Sequence, residues 1–149
     1  MSDTKHHIEL KRLTKDIVRD NIDVFIEISK QFEGDYWEAE HYLSDLNRKW
    51  ELSTVVYADG VIAGFNLVSE KPTSLHIHRI AAAKEFHNYG IGRRMVEQTI
   101  ADARNTPIGS VTLKVHAPTQ HRLDFYKKFN FDIAGTQGEM LLMELKLTS

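Results

Sequence analysis

Asp59-Gly60 stands between two β-rich runs, Ser53-Thr-Val-Val-Tyr-Ala and Val61-Ile-Ala-Gly-Phe-Asn-Leu-Val. A two-residue type I′ turn needs positive φ at both central positions, which Asp-Gly tolerates well, so the two runs are committed to an antiparallel hairpin. The rest of the chain must be built around that hairpin. Upstream, residues 6–13 read as a short strand with Ile8 and Leu10 apolar, followed by Thr14 as a helix N-cap. Ile17, Asn21, Val24, Phe25, Ile28 and Phe32 then recur at helical spacing until Gly34. Residues 36–50 carry a second helical pattern, with Trp37, His41, Leu46 and Trp50 as its inner face. Downstream come a strand at 74–82, a glycine-bearing loop, a helix from about 92 to 103 and an alternating strand at 111–116. A short helix at 118–129 and two strands at 131–134 and 140–145 complete the order.

This order predicts an α/β fold with one mixed sheet. The chain has 149 residues and shows no repeat, linker or low-complexity stretch, so residues 1–149 are expected to form a single domain. Nineteen Lys and Arg against 21 Asp and Glu leave a net charge of −2, which gives no electrostatic case for nucleic acid or an anionic membrane. No apolar run approaches the ~20 residues that span a bilayer. Met1-Ser-Asp-Thr-Lys-His-His lacks the apolar core of a signal peptide, and a cytoplasmic protein is expected. The cysteine count is zero, which removes disulfides, thiolate metal sites and a cysteine nucleophile together.

The chemistry concentrates at Tyr89-Gly90-Ile91-Gly92-Arg93-Arg94, between a strand and a helix. Glycines there admit an anion close to the backbone, and the free N–H groups of a helix start attract phosphate. The same residues also suit a plain tight connection. A dinucleotide fingerprint wants a third glycine where Met95 stands, and an acid about twenty residues on, where the stretch around Ser110 has none. A Walker loop wants Gly-Lys-Ser/Thr, which is absent.

His87-Asn88-Tyr89-Gly90-Ile91-Gly92 resembles the acyl-CoA loop of the GNAT N-acetyltransferase superfamily, Gln/Arg-x-x-Gly-x-Gly/Ala, with His87 in place of Gln or Arg. The strand Ile77-His78-Arg79-Ile80-Ala81-Ala82 upstream, and Phe125-Tyr126-Lys-Lys-Phe129-Asn130-Phe131 downstream, resemble the family's central strand and its Phe-Tyr segment, Asn130 standing where the family has glycine. The order of elements matches from His6 to Leu145. The resemblance implies a mostly antiparallel sheet of about seven strands with a splayed central pair, flanked by about four helices. It also implies acetyl-CoA as co-substrate, no metal, and a small-molecule or peptide amine as acceptor. Oligomeric state is left open, a homodimer included. Ile80, Ala81, Ala82, His87, Asn88, Tyr89, Gly90, Ile91, Gly92, Arg93, Thr119 and Tyr126 are its implied cofactor-binding positions. Thr119 stands where the family often has Asn, and Arg122 where Ala is common.

Within the strand, Ile77, Ile80 and Ala82 are spaced by three and then two, so one residue near His78-Arg79 must be absorbed in a β-bulge. A bulge would splay this strand from residues 111–116 and free backbone groups for a pantetheine arm; an ordinary bulge without ligand has the same spacing. Tyr126 is the family's general acid toward the departing sulfur, and as a residue in its own right it equally suits a core aromatic beside Phe125 and Phe129. His76, His78 and His116 stand on the two central strands, and His78 is the candidate base; structural or solvent-facing roles also fit all three. Glu33 to Glu40 mixes carboxylates with aromatics, as a cationic acceptor or a solvated helix start would. Without cysteine an acyl-enzyme on sulfur is excluded, and direct transfer in a ternary complex is expected. The competing reading is a non-catalytic acyl-CoA-binding regulatory or interaction module.

Overall fold

In the computed structural model, residues 7–31, 38–115 and 119–147 are described. His6, Phe32 to Trp37 and His116 to Pro118, which the sequence reading used, lie outside them.

Seven strands form one sheet: β1 (Ile8–Arg12), β2 (Thr54–Ala58), β3 (Val61–Glu70), β4 (Leu75–Ala82), β5 (Ser110–Val115), β6 (Asp132–Gln137) and β7 (Met140–Lys146). Their spatial order is β1-β2-β3-β4-β5-β7-β6. Every neighbouring pair is antiparallel except β4 and β5. The hairpin forms as expected: Ala58 faces Val61, and Asp59 and Gly60 take φ of 51° and 83°.

A parallel pair needs a crossover, here α5 (Ile91–Arg104). Ile91, Met95, Val96, Thr99, Ile100 and Ala103 are its buried stripe. Val96, Ile100 and Ala103 pack with Leu75, Ile77, Val111 and Leu113 on one face of the sheet. Gly64 lets the start of this helix come down on β3, because a Cβ there would lie 2.8 Å from both Ala81 O and Ile91 Cγ2. On the opposite face, Phe65, Leu67 and Ala81 pack with Val18, Phe25 and Tyr42 from the N-terminal helices. Each large apolar side chain buried this way contributes about 1.5–3 kcal/mol. Among the described residues no helix is long and apolar enough to cross a membrane.

The two expected N-terminal helices are each divided. Asn21 ends α1 (Lys15–Asp20) and opens α2 (Ile22–Ser29), with φ at −128° and its side-chain amide donating to Ile17 O at 2.9 Å. A short polar side chain that bonds the previous turn competes with helix continuation. The second pattern becomes α3 (Ala39–Leu43) and α4 (Lys49–Leu52), with Ser44 extended between them. Lys49 ties the break together: fully buried, its ammonium donates to the carbonyls of His41, Tyr42 and Ser44 at 3.3, 2.8 and 2.7 Å. The inner face is accordingly Tyr42, Lys49 and Leu52, while His41 and Leu46 are exposed.

The irregular spacing in β4 is a bulge. Leu67 faces Arg79 and Val68 faces Ile77, leaving His78 as the unpaired extra residue. On its other side β4 pairs with β5 over only Leu75–Val111, His76–Thr112 and Ile77–Leu113. The parallel ladder stops at the bulge, and the two strands part beyond it.

Candidate active site

The gap between the parted strands is a cleft of about 470 Å³, floored by Ile77 to Ala82 on β4 and Leu113 to Val115 on β5. Its mouth is the glycine loop. Asn88 and Gly90 both adopt left-handed backbone, with φ of 74° and 72°, which aims the chain into α5. The first helical bond runs from Arg94 N–H to Gly90 O at 3.0 Å, so the N–H groups of Ile91, Gly92 and Arg93 have no partner inside the helix. These groups and the positive end of a 14-residue helix have the chemistry to attract an anion. Gly92 has a further duty: a Cβ there would approach Phe125 Cζ to 3.3 Å, so its absence lets α6 (Gln120–Lys127) close against α5.

Tyr126 on α6 lines the cleft, its ring set edge-on to Phe125 and Phe131 at 5.1 and 5.9 Å. Burial pushes its phenol up to about 12, with Arg122 pulling weakly the other way. The proton therefore stays on oxygen at any physiological pH. Asn130, which ends this segment in place of the family's glycine, has φ of 74°, a conformation that Asn tolerates better than most residues.

His78 faces the same cleft from the bulge. Its Nε2 lies 2.6 Å from Ser69 Oγ on β3. The ring of His76 meets it edge-on at 4.8 Å and is itself held by Thr112 Oγ1, 2.8 Å from Nδ1. Both imidazoles are lowered to about 4, first by burial; the His76 ring and then Lys71, Lys49 and Lys114 add to this for His78, and Lys71 and Lys114 for His76. Both are neutral at pH 7.

Of the residues the sequence marked, Ile80, Ala81, Ala82, His87, Asn88, Gly90, Ile91, Gly92, Arg93, Tyr126 and His78 all border this one cleft. Tyr89 stands back from its lining, packed on Phe86 at 5.7 Å between ring centres. Thr119 also stands back; its hydroxyl caps α6 by accepting from Arg122 N–H at 3.2 Å. Lys114, Ser69 and Thr112 escaped the sequence reading. The alternation of β5, with Leu113 and Val115 buried, was the available signal that Lys114 faces away from α5.

A mixed sheet parted at its parallel pair, with a helix start at the mouth of the opening, defines the GNAT-type acyltransferase class. Residues 19–131 match the model of the acetyltransferase (GNAT) family, and the chain belongs to that family. No curated protein is a sequence match to it. Among solved structures it is similar to Ard1 from Thermoplasma volcanium, with 20% identity and a TM-score of 0.80 over 95% of this chain and 99% of that one. The ribosomal-protein-S18-alanine N-acetyltransferase from Escherichia coli gives 16% and 0.80 over 96% of each chain. The PaiA N-acetyltransferase from Thermoplasma acidophilum, solved in complex with coenzyme A, gives 18% and 0.78 over 95% and 99%.

Proposed function

We propose that the chain moves an acetyl group from acetyl-CoA directly to a primary amine within one ternary complex. The observation that carries this reading is the convergence of a protonated phenol, Tyr126, and a neutral imidazole, His78, on a slot whose mouth is the start of α5. The N–H groups of Ile91, Gly92 and Arg93 receive the pyrophosphate, Arg93 adds charge, and His87 and Asn88 border it. The backbone of Ile80, Ala81 and Ala82, beyond the last β4–β5 pair, receives the pantetheine arm, and an N–H there polarises the thioester carbonyl. Tyr89 and Thr119 act one step back, by packing the loop and capping α6.

The acceptor's ammonium first gives up a proton to solvent; the free amine nitrogen then attacks the thioester carbonyl carbon and a C–N bond forms. The nitrogen, now positively charged, loses a proton by way of the neutral His78 imidazole, which, lowered to about 4, relays it onward rather than holding it. The C–S bond breaks, and the sulfur takes the Tyr126 proton. Burial that makes the phenol a weaker acid also makes a thiolate in the same slot a stronger base, so the two remain matched. The products are the N-acetyl amine and the CoA thiol, and the relayed proton returns through solvent to the phenolate.

The test is CoA release measured over a panel of primary amines, beside calorimetric binding of acetyl-CoA, NADH and ATP. Acetyl-CoA should bind far more tightly than the other two, and at least one amine should turn over. Tight acetyl-CoA binding without turnover of any amine would make the chain an acyl-CoA-binding module instead.

A further inference from the structure

We propose that the acceptor is an amine bearing its own anionic group, and that Lys114 receives that anion. This rests on the transferase reading above and names its acceptor class. Leu113 and Val115 are buried in the core beneath α5, so Lys114 between them faces the other side of the sheet, away from the phosphate-binding helix start. His76 and His78 share that side, since His76 bonds Thr112, the residue two before Lys114 on the same strand. Lys114 is exposed, borders the cleft together with His78, and makes no ion pair among the described residues. The ladder sets no acid against it: Leu142 of β7 faces Lys114, and Glu144 faces Thr112 instead.

Glu144 shares this face opposite Thr112 but stands outside the cleft lining, whose charged side chains are all cations. Arg79 borders the cleft and is held by Ser29 Oγ at 2.6 Å. Lys71, on the turn after β3, and Lys114 both act on the two histidines, and every charged group that shifts those rings is a cation. Among the described lining residues there is no Asp or Glu. Of the two glutamates at the start of α3, Glu38 is engaged in a capping box with His41, and Glu40 is exposed and stands outside the cleft lining. An acceptor whose only charge is its ammonium would be repelled by this wall. A carboxylate or phosphate carried beside the amine pairs with Lys114 and removes the repulsion, leaving the nitrogen near His78 and the thioester carbon.

The experiment compares size-matched acceptors of different charge: β-alanine against β-alaninamide, C-terminally amidated Asp-Ala against amidated Asn-Ala and Lys-Ala, and spermidine as a polycation. The expected result is a kcat/KM at least tenfold higher for the acidic member of a pair. That ratio should collapse toward one in Lys114→Met and survive in Lys114→Arg, with thermal unfolding unchanged in both. The amino-acid and peptide arms separate a free acidic amine from an acidic N-terminus. Equal rates for acid and amide, a preference for spermidine or Lys-Ala, or a ratio untouched by Lys114→Met overturns the proposal. The acidic members are also titrated into CoA-saturated protein. Binding that Lys114→Met abolishes, with no turnover, would keep the anion site and remove the transferase reading; no binding and no turnover overturns the anion site as well.

Discussion

Ser69 Oγ and His78 Nε2 lie 2.6 Å apart, across the point where β3 and β4 lose register. The bulge thus presents an imidazole to a buried hydroxyl on one side and to the cleft on the other. His78 and its neighbour His76 are both lowered to about 4 by burial and surrounding cations, against an ordinary value of 6.5. Between those values the unfolded chain binds more protons than the folded one, so stability falls as pH drops from 6.5 toward 4 and then levels off. Each ring contributes no more than about 3 kcal/mol to this loss, since a unit of pKa corresponds to 1.36 kcal/mol. Thermal unfolding followed over that range should show the decline, and a His76→Asn/His78→Asn double variant should flatten it. A wild-type profile already flat between pH 6.5 and 4 would contradict the burial of these rings.

Tyr126→Phe removes a hydroxyl that makes no hydrogen bond among the described residues, and it keeps the ring contacts with Phe125 and Phe131. Folding and acetyl-CoA affinity should therefore stay close to wild type. General-acid contributions run from about 10² to 10⁴, and a thiolate is a fair leaving group, so kcat should fall by roughly 10²-fold. The comparison is kcat on an accepted amine beside calorimetric affinity of the same variant. An unchanged kcat returns Tyr126 to a packing role.

The two loop glycines should fail differently. Gly90 has φ of 72° with nothing within 4 Å of an added Cβ, so Gly90→Ala costs only backbone strain, about 1–2 kcal/mol. Gly92→Val drives a branched side chain into Phe125, 3.3 Å from the first added atom, and pushes α6 off α5. Since Tyr126 follows Phe125, Gly92→Val should lower kcat as well as acetyl-CoA affinity, whereas Gly90→Ala should lower stability and acetyl-CoA affinity and leave kcat near wild type. Steady-state kinetics and thermal unfolding of the two variants distinguish these outcomes.

Lys49→Met keeps much of the stem volume and deletes the ammonium that gathers three carbonyls between α3 and α4. Buried acceptors left without a donor cost about 1–3 kcal/mol each in full burial, and partial rehydration here suggests a total near 3 kcal/mol. Urea unfolding should show that loss; a variant as stable as wild type would mean the helix break stands without Lys49.

The β-elements were legible because their signals are local. Asp59-Gly60 dictated its turn, and the three-then-two spacing of Ile77, Ile80 and Ala82 located the bulge to within a residue of His78. Asn130 in a glycine position was legible for the same reason, a single left-handed residue. The N-terminal helices were misread because their breaks are tertiary or depend on one side chain. Apolar periodicity runs through Asn21 and Ser44 without interruption, and nothing in the sequence announces that Lys49 turns inward. The cleft was legible where a motif lies on one loop, and illegible where residues from three strands meet. Ser69, Thr112 and Lys114 belong to β3 and β5, and only the observed pairing brings them to His76 and His78.

The short β4–β5 ladder bears on how the molecule comes apart. β1 to β4 form a continuous antiparallel set, and β5, β7 and β6 form another, with three residue pairs joining them in the sheet. That seam is the weakest line through the hydrogen-bonded network, so native-state amide exchange should divide the sheet into two cooperative units rather than one. A molecule lying in the cleft touches both units at once. Its binding would act as a clasp across the seam, bringing the opening energies of the two units together and slowing exchange in strands far from any atom it contacts.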